Sequence, residues 1–196
     1  MSLQTTSSQT IGPYLHIGLT WLTTDNLAVA GVSGDKIAIE GRIVDGDGNA
    51  VDDAVVEIWQ ANAHGRYAHP DDTQDKPLEP QFKGFGRVMT DTDGVFRFTT
   101  IKPGPVPGRG NSLQAPHINV ILFSRGLLIH LHTRIYFDGE PANTADPLLS
   151  SIEDPAVRGT LLARRAEGSG SQEGTPARYR FDIVLQGENE TAFLDL

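Results

Sequence analysis

The sequence contains no cysteine. Disulfides, thiolate metal sites and a cysteine nucleophile are therefore excluded, and any metal would have to be held by His, Tyr, Asp or Glu. Positive charge is scarce as well: 16 Lys and Arg stand against 25 Asp and Glu, a formal net charge of −9. Neutralising a phosphate backbone takes clustered cations, so nucleic acid is excluded as a partner. No apolar run is long enough to cross a bilayer, and Met1 to Ser8 has neither the basic nor the apolar region of a secretion signal. A cytoplasmic, soluble protein with no membrane partner is expected.

Turn formers are what the chain has in quantity, with 21 Gly and 12 Pro in 196 residues. Together with the shortage of long helical periodicities they predict an all-β sandwich with long loops and one or two short helices. The length suits one domain over residues 1–196.

Ile37 to Val44 alternates as a half-buried strand does, and Asp45-Gly46-Asp47-Gly48-Asn49 supplies the following turn. Further strands are predicted over Val55 to Trp59, Val95 to Thr99, Asn119 to Phe123, Ile129 to Phe137 and Tyr179 to Leu185. Between Asn62 and Phe82 the chain is polar and aperiodic, the mark of a long loop that carries a site or an interface. Asp154-Pro155 before Ala156 to Arg165 predicts a helix with an N-cap and a proline in its first turn. The first ten residues are rich in Ser, Thr and Gln, so residues 1–18 read as an arm ordered by a partner.

Several chemistry-bearing segments follow one another: Glu57-Ile58-Trp59-Gln60-Ala61-Asn62, Gly65-Arg66-Tyr67, Lys102-Pro103-Gly104-Pro105, Ala115-Pro116-His117-Ile118-Asn119, and Leu131-His132-Thr133-Arg134-Ile135-Tyr136-Phe137. In this order they resemble the intradiol dioxygenase family, from Gly12 onward. The resemblance implies an intradiol-type β-sandwich holding Fe³⁺ through two tyrosines and two histidines, the histidines as His-x-His on one strand. Ferric iron is a hard cation that favours phenolate oxygen, and a catecholate can chelate it before O₂ attacks the ring.

Carried over by position, half of that ligand set is missing. Tyr67 matches the first tyrosine and His117 the first histidine, but Val106 stands in the place of the second tyrosine and Asn119 in that of the second histidine. Gln114 replaces the family's arginine three residues before the first histidine. These losses resemble the non-catalytic α subunits of heteromeric family members, in which a β subunit of the same fold carries the Fe³⁺ and the substrates are protocatechuate and O₂. The resemblance then implies no metal and no catalytic residue in this chain, and a hetero-oligomer of repeated αβ units. It further implies that Gly12, Pro13, Tyr14 and Arg134 line the partner's active site, while Tyr67, Val106, Gln114, His117 and Asn119 form a vestigial one.

His130 and His132 make a literal His-x-His pair, read here as a structural feature rather than a metal site because no third ligand is evident. Two other readings stay open at this point. One is a self-sufficient dioxygenase using Tyr67, His117, water and the Asn119 oxygen; the other is a stand-alone sandwich that binds a ligand without an enzyme partner.

Overall fold

The computed structural model describes Leu15, residues 17–170 and residues 175–195. Gly12, Pro13 and Tyr14, with most of the arm, lie outside the described residues. The strands are β1 (Lys36–Val44), β2 (Val55–Trp59), β3 (Phe85–Met89), β4 (Val95–Ile101), β5 (Val106–Pro107), β6 (Leu113–Gln114), β7 (His117–Phe123), β8 (Leu131–Phe137), β9 (Leu162–Arg165), β10 (Ala177–Arg180) and β11 (Ile183–Val184). Two short helices, α1 (Pro147–Ser151) and α2 (Pro155–Gly159), and 3-10 turns at Thr20–Leu22 and Pro141–Ala145 complete the described elements. The class is all-β, as the turn-rich composition predicts. No helix among the described residues is long and apolar enough to cross a membrane.

One half of the fold is the ladder β3-β2-β7-β8, antiparallel throughout. The other is β1 between β4, antiparallel to it, and β10 and β11, parallel to it in succession. β9 joins the halves: Leu162 and Ala163 pair with β8, and Arg164 and Arg165 pair with β10. Alternate residues from both halves bury into one core, with Ile37, Ile39, Phe96 and Phe98 on one side and Ile58, Ile118, Val120 and Ile135 on the other. Each such side chain stabilises the fold by roughly 1.5–3 kcal/mol on transfer from water.

Glycine marks two close approaches. A Cβ on Gly41, in the middle of β1, would collide with the Phe181 carbonyl and the Phe96 ring. One on Gly86 would come 2.9 Å from Leu27 Cδ1 and from Phe98 Cε1. Gly86 therefore takes an inward position of β3 that would otherwise hold an apolar side chain, and the period-two pattern of this strand is erased from the sequence.

The helix expected over Ala156 to Arg165 is wrong in its second half. α2 stops at Gly159 and the chain turns into β9. Leu161 and Ala163 are fully buried while Arg164 and Arg165 are exposed, and the strand is recruited by the vacant edges of β8 and β10. The strand expected over Tyr179 to Leu185 is two, β10 and β11, separated by Phe181 and Asp182. Asp182 there accepts a hydrogen bond from the Arg42 amide at 2.9 Å.

Candidate functional site

β2, β7 and β8 lie side by side with Trp59 opposite Asn119 and Asn119 opposite Arg134; two residues along, His117 is opposite Tyr136. Ile118, Val120, Ile135 and Phe137 bury into the core, so period two turns His117, Asn119, Arg134 and Tyr136 to the outer face. The long loop brings Tyr67 over this face, where its ring stacks on Trp59 with centroids 5.8 Å apart. The β5–β6 hairpin places Gln114, paired with Val106, at its margin. An open cleft of about 400 Å³ lies alongside, lined by Trp59, Tyr67, Asp72, Gln74, Val106 and Pro107 among others.

The guanidinium of Arg134 ties these residues together. Nε donates to Asn119 Oδ1 at 2.9 Å, and Nη1 donates to Gln114 Oε1 at 2.6 Å and to the Tyr136 hydroxyl at 3.4 Å. The Asn119 amide nitrogen in turn donates to the Tyr67 hydroxyl at 3.3 Å and to the Trp59 carbonyl at 3.2 Å. Tyr67 is anchored from below by its own amide, which donates to Asp72 Oδ2 at 2.7 Å. His117 lies against the Tyr136 ring, and its Nδ1 is 2.7 Å from the Ala115 carbonyl. A carbonyl only accepts, so Nδ1 carries the proton.

Burial and the charge of Arg134 set the titration of this cluster. Burial pushes the His117 imidazole down to about 4, and the neighbouring guanidinium acts in the same direction. Burial raises the Tyr67 phenol, against the opposing pull of Asn119 and Arg134. It raises the Tyr136 phenol too, and more strongly. Near neutral pH the site therefore presents a neutral imidazole and neutral phenols around a cation.

Tyr136 and Asp146 also belong to the cluster, and sequence reasoning did not single them out. Asp146 is fully buried and accepts from four donors: the Tyr136 hydroxyl at 3.1 Å, the amides of Leu148 and Leu149 at 2.9 and 3.0 Å, and the Ala115 amide at 2.8 Å. It caps α1 and holds the segment that leads into His117. Asp146-Pro147 carries the same N-cap and proline signal as Asp154-Pro155, so the cap itself was available in the sequence.

These residues do not fit a ferric ion. Val106 has no donor atom, Asn119 spends its amide oxygen on Arg134, and a guanidinium among the remaining donors repels a second cation. Among the described residues no group of three or more His, Cys, Asp or Glu side chains is placed to hold a metal. At the far end of the same face the rings of His130 and His132 meet edge to face, with centroids 4.8 Å apart, and His130 also lies on Phe123.

A family model described as Dioxygenase matches residues 20–187, and the chain belongs to the intradiol dioxygenase family, whose members are iron enzymes. It is 44% identical to the protocatechuate 3,4-dioxygenase alpha chain of Pseudomonas putida, over 98% of this chain and 97% of that one. The protocatechuate 3,4-dioxygenase beta chain of Burkholderia cepacia is 41% identical, over 81% of this chain and 67% of that relative. Percentage identity barely separates the two; coverage does. Among solved structures, the dioxygenase domain of a dioxygenase carbohydrate-binding protein fusion from Streptomyces sp. SirexAA-E superposes with a TM-score of 0.62 at 28% identity, covering 96% of this chain and all of that one.

Proposed function

We propose that this chain is the non-catalytic α-type subunit of a heteromeric protocatechuate 3,4-dioxygenase. The assembled enzyme adds both atoms of O₂ to protocatechuate and opens the ring between its two hydroxyl-bearing carbons, giving 3-carboxy-cis,cis-muconate. The ferric ion belongs to a β-type partner of the same fold, and αβ units repeat in the hetero-oligomer. Residues 1–18 of the single domain are an arm ordered by that partner. Gly12, Pro13, Tyr14 and Arg134 lie at the mouth of the partner's site, where a guanidinium attracts the substrate carboxylate. Tyr67, Val106, Gln114, His117 and Asn119 are the remnant of a metal site.

One observation supports this reading above the others: in a chain similar to an α chain over 98% of its length, Asn119, at one ligand position, turns its amide oxygen to the Arg134 guanidinium and its amide nitrogen to the hydroxyl of Tyr67, at another. The self-sufficient alternative needs the Asn119 oxygen that Arg134 already occupies. Purification of this chain from its native source tests the proposal. A β-type chain is expected to accompany it, with ring cleavage by the complex and none by the lone chain. Ring cleavage by the lone chain, or its purification without such a companion, would overturn it.

A further inference from the structure

Four arginines among the described residues are ion-paired, and Arg134 is not one of them. Arg87 pairs with Glu57, Arg97 with Glu40 and Asp91, Arg125 with Asp52 and Asp53, and Arg180 with Asp182. No ion pair among the described residues includes Arg134. Its three acceptors are the amide oxygens of Asn119 and Gln114 and the hydroxyl of Tyr136, all uncharged. The nearest linked carboxylate, Asp146, reaches it only through the Tyr136 hydroxyl and is already saturated by four donors. In a chain with a net charge of −9, a half-buried guanidinium is thus oriented on two of its nitrogens and paired with no carboxylate among the described residues.

The acceptors are themselves fixed. Asn119 is held by the Trp59 carbonyl and the Tyr67 hydroxyl, and Gln114 by its own amide, which donates to the Pro107 carbonyl at 3.0 Å. Each amide therefore has one orientation, carbonyl oxygen toward Arg134. A neutral cradle of this kind orients a cation without cancelling its field, which a carboxylate in the same place would do. Nη2 makes no hydrogen bond among the described residues and remains available to a ligand.

We infer that Asn119 and Gln114 are positioning residues: they hold Arg134, whose proposed ligand is the substrate carboxylate, in one preorganised orientation and leave its charge uncompensated. This deepens, and rests on, the reading that Arg134 faces a partner's active site. Two of the three positions at which the chain departs from the family pattern, Gln114 and Asn119, then have a role of their own.

The test uses the complex of this chain with its β-type partner and compares protocatechuate with catechol, which lacks the carboxylate. Arg134→Leu is expected to raise KM for protocatechuate by about a hundredfold, and Asn119→Leu or Gln114→Leu by about tenfold each. Iron content should be unchanged in all of them, and in the Asn119 and Gln114 variants kcat and KM for catechol should stay within about twofold, a split that general loss of structure does not produce. Gln114→Glu keeps the size and the acceptor oxygen but adds a negative charge, and it too is expected to raise KM for protocatechuate about tenfold. An unchanged KM in Arg134→Leu would sink the underlying reading that Arg134 meets the substrate. A raised KM in Arg134→Leu with no effect of Asn119→Leu, Gln114→Leu or Gln114→Glu would overturn the cradle alone. Equal losses with protocatechuate and catechol would also overturn it, because they mark a structural role.

Discussion

Two charged groups stand at opposite ends of one hydrogen-bonded chain, and their surroundings could hardly differ more. Asp146 is fully buried, and its two oxygens accept from three backbone amides and a phenol. Arg134 is only half-buried, meets neutral acceptors, and has no ion-pair partner among the described residues. The Asp146 end is built as a fold builds: a buried charge saturated by donors that would otherwise be unpaired, capping α1 and fixing the approach to β7. The Arg134 end leaves a cation oriented by neutral acceptors, an arrangement that contributes little to stability and suits the recognition proposed for it. Tyr136, bonded to both, is the joint between them.

The contrast is broken most severely at Asp146. Asp146→Ala strands the amides of Ala115, Leu148 and Leu149 and the Tyr136 hydroxyl, and is expected to cost about 3–5 kcal/mol, read from urea denaturation. Next comes pH. His117, neutral in the fold with its pKa depressed from 6.5 to about 4, makes a contribution that is fully present above about pH 6.5 and lost as the pH falls toward about 4. The loss amounts to roughly 3 kcal/mol at most. Chemical denaturation across that window should show the slope in the unaltered chain and a much weaker one in His117→Gln. A smaller effect, about 1 kcal/mol, is expected for Tyr136→Phe, which removes one donor to Asp146 and leaves the other three. Arg134→Leu should be the mildest, within about 1 kcal/mol, since water can reach the acceptors it frees. A large loss of stability in Arg134→Leu would erase the distinction between the two ends.

Much of this was legible in the sequence, and the failures have physical causes. β1, β2, β4 and β7 follow from alternation and their flanking turns, and the long polar stretch over residues 62–82 is the loop that carries Tyr67. β3 was hidden because Gly86 occupies an inward position for steric reasons. β9 was hidden because a capped helical start runs into residues whose strand conformation is decided by edges contributed from β8 and β10, far away along the chain. At the site, residue types at family positions led to Tyr67, Gln114, His117 and Asn119. What position could not supply is that Arg134, from the neighbouring strand, sits among them. That juxtaposition depends on the register of β7 against β8, which places Asn119 opposite Arg134. Tyr136 and Asp146 were missed for the same reason: their pairing spans the turn and the 3-10 segment after β8.

If, as proposed, Tyr67, Val106, His117 and Asn119 are the remnant of a ferric site and Arg134 is bonded to that remnant through Asn119, the isolated chain does not hold iron. Titration of the isolated chain with Fe³⁺, followed by bound-metal analysis and by tyrosinate-to-iron absorption in the visible, tests it most directly. The expected result is no saturable binding and no visible band. One tightly bound iron per chain with a tyrosinate band would contradict it.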